Sequence, residues 1–190
     1  MKLPQLKVDL ALVHYPVSNK HREIIGSAVT NLDLHDMARA GRTFGADNLF
    51  VVTPFGDQQQ LVAEILAHWS TGHGGKVNPD RKEALSIIRL SADLAGVYEA
   101  ATSKWGERPM VLATCARCQG EGVHSYEAVR ERIFAGRPVL LLFGTAWGLA
   151  PEVMQAVDGF LPPICGQMEY NHLSVRSAAS IVLDRLLGKR

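Results

Sequence analysis

Apolar residues in this chain gather in short runs, and amphipathic stretches separate the runs along most of its length. Residues 8–15 (VDLALVHY) form a run of strand length closed by Pro16, which predicts a strand buried on both faces. Runs at 48–53 (NLFVVT), 86–90, 109–114 (PMVLAT) and 139–143 (VLLLF) predict four more strands. Residues 160–164 predict a broken strand, since Pro162 and Pro163 each remove a ladder donor. Between the strands the period changes to that of a helix. Asn31 or Asp33 can cap a helix that carries Met37, Ala38 and Phe44 and stops at Gly45. Residues 57–69 place Leu61, Ile65 and Trp69 on one helical face. Asp80 can start a short helix, 91–105 is helical by pattern, and Ser125 can cap a helix ending at Phe134. Pro151 opens a short helix through Ala156. The last helix is expected over 172–187, ended by Gly188. Residues 16–30 and 71–76 are expected to be loops.

This order of strand, helix, strand predicts an α/β fold with a mostly parallel sheet flanked by helices. No repeat, low-complexity tract or linker interrupts the pattern, so residues 1–190 are expected to form one domain.

Charge and composition narrow the partners. The net charge is +1, so no global field draws the chain to nucleic acid or membrane, and RNA contact would need a local patch. Lys20, His21, Arg22, Arg39 and Arg42 are the candidates for one. No apolar run approaches the roughly 20 residues needed to span a bilayer. The first residues do not read as a signal peptide. Three cysteines, two of them close together, argue against a disulfide framework and for a reducing cytoplasm.

Several segments carry groups suited to chemistry. The 139–143 strand runs into Gly144-Thr145-Ala146-Trp147-Gly148-Leu149, where two glycines let the main chain approach a ligand. It lacks the Gly-Lys-Ser/Thr of a phosphate loop and the third glycine of a dinucleotide fingerprint. Residues 164–174 form a second polar loop before a helix start rich in small residues. On the first helix His35, Arg39 and Arg42 fall near one face. That face could hold a phosphate, or could be a solvated surface on which Asp36 pairs with Arg39 or Arg42. Cys115-x-x-Cys118 is a weak metal or redox signal, with His124 the only near third ligand, and no metal is expected.

In this order the segments resemble the SPOUT class of RNA methyltransferases. Asp33-x-His35-x-x-x-Arg39 through Phe44-Gly45 looks like the first SpoU-type motif. Residues 143–149 look like the second, and 164–179, with Leu173-Ser174-Val175-Arg176, like the third. Thr-Asn-Leu-Asp-Leu-His-Asp at 30–36 and Asn-His-Leu-Ser-Val-Arg at 171–176 are similar to a small bacterial TrmD-like subfamily. The chain departs from the usual motifs. Asp33 and His35 stand for Asn and Gly, Ser174 for Asn, and Arg176 for Ser.

The resemblance implies a C-terminal trefoil knot, a homodimer, an RNA substrate (tRNA or rRNA) and S-adenosylmethionine (SAM) as cofactor. It also implies a SAM pocket formed by Thr114, Gly144, Thr145, Trp147, Gly148, Leu149, Ile164, Gly166, Asn171, His172, Leu173 and Ser174. Arg39 falls where SpoU-type enzymes place a functional arginine. His35, Asp36 and His172 are the acid–base candidates. Base and ribose methylation both remain open. Two rival readings are a non-catalytic RNA-binding module with a degenerate SAM pocket, and a thiol enzyme using Cys115 and Cys118.

Overall fold

The computed structural model describes residues 6–117 and 121–190. Its centre is a six-stranded sheet in the order β5-β4-β1-β7-β6-β8, with every pairing parallel. The strands are β1 (Val8–Val13), β4 (Asn48–Val52), β5 (Ile88–Ser91), β6 (Met110–Ala113), β7 (Val139–Gly144) and β8 (Gly159–Phe160). All of β1 and β4, and five of the six residues of β7, are buried, which is why they read as continuous apolar runs. Alternate side chains feed two cores. Leu10, Leu12, Leu49, Val51, Leu141 and Phe143 point to one, and Ala11, Val13, Phe50, Val52, Leu140 and Leu142 to the other.

Helices α1 (Asn31–Phe44), α2 (Gly56–Ser70), α4 (Pro79–Leu85), α6 (Tyr126–Phe134) and α8 (Val175–Leu187) cover the first core. Helices α5 (Leu94–Trp105) and α7 (Pro151–Ala156) cover the second. From β1 the chain moves outward one way through β4 and β5. It then returns to the other side of β1 through β6 and β7. The β1/β7 boundary is therefore the switch point of the sheet, where open parallel sheets form a crevice at their carboxyl ends.

Local chemistry explains where the elements depart from the sequence-based expectation. Thr30, rather than Asn31 or Asp33, caps α1, its hydroxyl accepting from the Asp33 N–H at 3.1 Å. Residues 16–30 are not wholly loop: β2 (Val17–Ser18) and β3 (Ile24–Ile25) pair antiparallel. The 71–76 stretch contains a one-turn helix, α3 (His73–Val77). Its glycines permit this, since a Cβ on Gly75 would lie 2.2 Å from the Trp69 carbonyl oxygen at the end of α2. The third strand starts at Ile88, because Ser86 serves as the C-cap of α4. Residues 160–164 hold less strand than expected, since the ladder ends at Phe160 before the two prolines. The last helix begins at Val175 and not at His172, because Ser174 takes an extended backbone and caps it.

Candidate functional site

Three neighbouring strands deliver the expected cofactor residues to one edge. Thr114 follows β6, Gly144 ends β7, and the chain after β8 supplies Ile164, Gly166 and 171–174. The Thr114 N–H and hydroxyl both donate to the Leu142 carbonyl at 3.0 Å, locking the β6 exit to β7. The Asn171 amide donates to the Ala116 carbonyl at 2.8 Å, so the loop before α8 lies against the loop after β6. The Ile164 side chain packs on the first core. Gly166, His172 and Leu173 are exposed, and a Cβ on Gly166 would meet nothing within 4 Å.

The loop after β7 is shaped from both sides. A Cβ on Gly144 would lie 2.5 Å from the Leu149 nitrogen, so the chain turns back on itself there only because Gly144 has none. Gly148 has φ +105, in the region glycine tolerates. The β2 strand braces the loop: Trp147 N–H donates to Ser18 O at 3.1 Å and Ser18 N–H to Gly148 O at 2.9 Å. Trp147 itself stands 65% exposed, with its indole unspent on the core. Thr145 faces inward instead. Its hydroxyl donates to the Val13 carbonyl at 2.9 Å and lies 2.5 Å from Ser27 Oγ, whose other neighbour is His14 Nδ1 at 2.9 Å. Sequence reasoning missed His14 and Ser27. The one signal available was a histidine at the end of an otherwise apolar strand.

The α1 residues form a separate cluster. His35, Asp36 and Arg39 line a cleft of about 550 Å³ between α1, α2 and α4, together with Trp69 and Arg81. Asp36 and Arg39 also line a second cleft of about 350 Å³ between α1 and α8, with Arg176 and Ser177. Neither cleft is lined by any strand-end loop residue named above. Burial, then the positive charges of Arg81 and Arg39, hold the His35 pKa below its ordinary value against the opposing Asp36. His35 is therefore neutral at neutral pH, edge-on to Trp69.

The pairing of these charges differs from the expected one. Asp36 pairs with Arg176 at 3.4 Å, not with Arg39 or Arg42. Arg176 also holds the buried Asp33 at 3.0 Å, and Asp33 accepts the Thr30 hydroxyl at 2.7 Å, so α8 is clamped to the α1 start. Arg42 leaves the His35 face and pairs with Glu83 on α4. Arg39 is the exposed cation that both clefts share. Of the remaining basic candidates, Lys20, His21 and Arg22 sit exposed on the β2–β3 turn. Cys115 is half-buried, and Cys118 lies outside the described residues. Among the described residues no cluster of His, Cys, Asp or Glu could hold a metal ion. No described helix is long and apolar enough to cross a membrane.

Known proteins are similar to this chain in sequence and in fold. Residues 7–188 match the profile of a family described as SAM-dependent RNA methyltransferase. A tRNA (guanine-N(1)-)-methyltransferase of Oleidesulfovibrio alaskensis is 47% identical over 185 residues, 97% of this chain and 43% of that protein. The chain thus spans less than half the length of that relative. An uncharacterized protein of Aquifex aeolicus is 37% identical over 96% of this chain and 89% of its own length. In fold, the chain is similar to the SpoU methyltransferase AviRb of Streptomyces viridochromogenes in complex with AdoMet. The TM-score is 0.58 at 16% identity, covering 98% of this chain and 58% of that one. A family that works on RNA with SAM needs a pocket for an adenine and an amino-acid group. The strand-end loops here bear on that need through exposed apolar side chains such as Trp147 and Leu173, on which a ring could stack. By its match over nearly its whole length, the chain belongs to the SAM-dependent RNA methyltransferase family.

Proposed function

We propose that this chain methylates tRNA, binding SAM in the loops after β6, β7 and β8 and the RNA beside Arg39. The observation that carries this reading is the convergence of Thr114, Gly144–Leu149 and Asn171 at one edge of three adjacent parallel strands. Bound SAM supplies a methyl group already activated by its sulfonium. The protein's own residues then orient, shield and take a proton. Main-chain groups around Gly144, Gly148 and Leu149, with Ile164, Gly166 and 171–174, hold the cofactor, while Thr114 and Asn171 keep the loops in register. Arg39 places a guanidinium beside the RNA, where it holds a phosphate or steadies developing negative charge on the accepting atom. His35, neutral at neutral pH, is the proton acceptor on this face. Asp36 supports it from the Arg176 pair.

The cleft beside His35 and Arg39 is not lined by the loops after β6 and β7. This supports a homodimer in which one copy's α1 face meets its partner's strand-end loops. The path of the chain supports a C-terminal knot: after β8 it passes the β6–α6 loop at Asn171 and returns to pack α8 on α1. The relatives named for guanine-N1 methylation of tRNA favour tRNA over rRNA as the substrate.

The test is transfer of labelled methyl from SAM to tRNA and to rRNA fragments, followed by nucleoside mass spectrometry. Labelled tRNA is expected, with Arg39→Ala lowering the rate about a hundredfold at unchanged SAM affinity. Labelling of rRNA alone would overturn the tRNA assignment. Calorimetry showing no binding of SAM or its demethylated product would overturn the cofactor site.

A further inference from the structure

The contacts at the switch point assign the proton positions of a buried chain of hydroxyls and imidazole. Thr145 Oγ1 donates to the Val13 carbonyl at 2.9 Å, and a carbonyl can only accept. That consumes the single hydroxyl proton of Thr145. Ser27 Oγ, 2.5 Å from Thr145 Oγ1, must then be the donor of that pair. Ser27 has no second proton, so His14 Nδ1, 2.9 Å away, must carry the hydrogen and donate to Ser27 Oγ. Nε2 is left as a bare acceptor, and it is buried without a partner in a side chain with 0% exposure. The relay thus runs one way: imidazole to Ser27, Ser27 to Thr145, Thr145 to β1.

We propose that His14 and Ser27 are positioning residues for the cofactor, holding through Thr145 the main chain of the Gly144–Leu149 loop that would contact SAM. The inference rests on the SAM site given under Proposed function. Three observations favour positioning over simple packing. The relay ties the exits of β1 and β7, the two strands on either side of the switch point. It passes through the second residue of a loop whose next residue, Ala146, has φ 50 and is not glycine, so the turn must be held from outside. It also holds that loop at Thr145, a different residue from Trp147 and Gly148, which the β2 brace holds. Burial keeps the His14 pKa below its ordinary value, against Asp33 and the nearby Ala28 and Ser27 carbonyls, which keeps the ring neutral. Asp33 is the charged group that acts on the ring, and Arg176 holds it in turn.

Calorimetry and kinetics on the full chain with SAM test this. Ser27→Ala and His14→Leu are expected to weaken SAM binding about tenfold, the worth of one hydrogen bond. KM for SAM should rise while kcat at saturating SAM holds. His14→Asn keeps an N–H donor near the Nδ1 position and should recover affinity to within about threefold of wild type. SAM binding in folded Ser27→Ala and His14→Leu equal to wild type would overturn the proposal. So would His14→Asn binding as weakly as His14→Leu, which would mean packing alone. Amide hydrogen exchange at Trp147 and Gly148 gives a readout that needs no ligand. If wild type itself fails to bind SAM, the cofactor reading falls. The relay is then judged by exchange: faster in Ser27→Ala supports it, and unchanged overturns it.

Discussion

At the start of β1, Asp9 is fully buried and closed on every side, whereas one residue past the end of the same strand His14 is as deeply buried with one nitrogen left open. Asp9 Oδ1 accepts from the Asn48 N–H and amide and from Lys104 Nζ, all near 3 Å, and Oδ2 accepts from Trp105 Nε1 at 2.6 Å. Four donors from two elements, β4 and α5, converge on one carboxylate at the N-terminal edge of the sheet, where a parallel sheet seldom binds ligands. The His14 chain lies at the opposite edge and runs through a loop braced by a two-residue strand. A saturated network holds elements in one arrangement. An incompletely saturated one at the ligand edge holds a loop that, under the proposed function, would admit the cofactor.

Breaking the closed end should have the largest effect on stability. Asp9→Ala leaves Lys104 and the Trp105 indole without their buried acceptor and is expected to cost about 3 kcal/mol. Denaturant unfolding measures this, and SAM affinity of the remaining folded protein should match wild type. A change in SAM affinity would mean that the two ends communicate through β1.

Breaking the open end should instead act on binding. Gly144→Ala places a Cβ 2.5 Å from the Leu149 nitrogen, so the loop must move. SAM affinity is expected to fall about a hundredfold, or roughly 2.7 kcal/mol. Unchanged affinity would show that the cofactor does not read this turn.

Acid should distinguish the ends next. His14 has a depressed pKa when folded, so the unfolded chain takes the proton first. Its contribution is fully present above its ordinary value of about 6.5 and is lost as pH falls through that value toward the folded pKa. The slope is at most about 1.4 kcal/mol per pH unit. His35 titrates in the same direction. His14→Asn removes only the first share, so its stability should fall less steeply between about pH 7 and pH 5. A slope identical to wild type would assign the whole effect to His35. The smallest effect is expected at Arg42→Ala. It removes an exposed pair with Glu83 and should change stability by less than about 1 kcal/mol. A larger loss would make that pair part of the α1–α4 packing.

Much of the architecture was legible along the chain, because strands buried on both faces leave uninterrupted apolar runs, as in VDLALV and VLLLFG. Helix ends were legible where a cap declares itself, as Ser125 and Gly45 do. The short elements were not. The β2–β3 pair and α3 have too few residues to show a period, and they exist because they pack on Leu149 and on the end of α2. The strand-end loops proposed for the cofactor could be placed from their glycines and their position after apolar runs. Which charges pair could not, since Arg176 and Asp33 are 143 residues apart and only packing of α8 on α1 brings them together.

What the sequence determined by itself is the set of backbone preferences: where strands must be buried, where glycine alone can turn, and hence where a cofactor loop can form. These are local, because φ/ψ sterics and side-chain period act over a few residues. Only the tertiary structure decided the partners of polar groups. It closed Asp9, turned Asp36 to Arg176, left Arg39 facing two clefts, and aligned His14, Ser27 and Thr145 in one direction. A hydrogen bond is settled by which donor reaches an acceptor in space, and a relay's direction by the one carbonyl at its end that cannot give a proton.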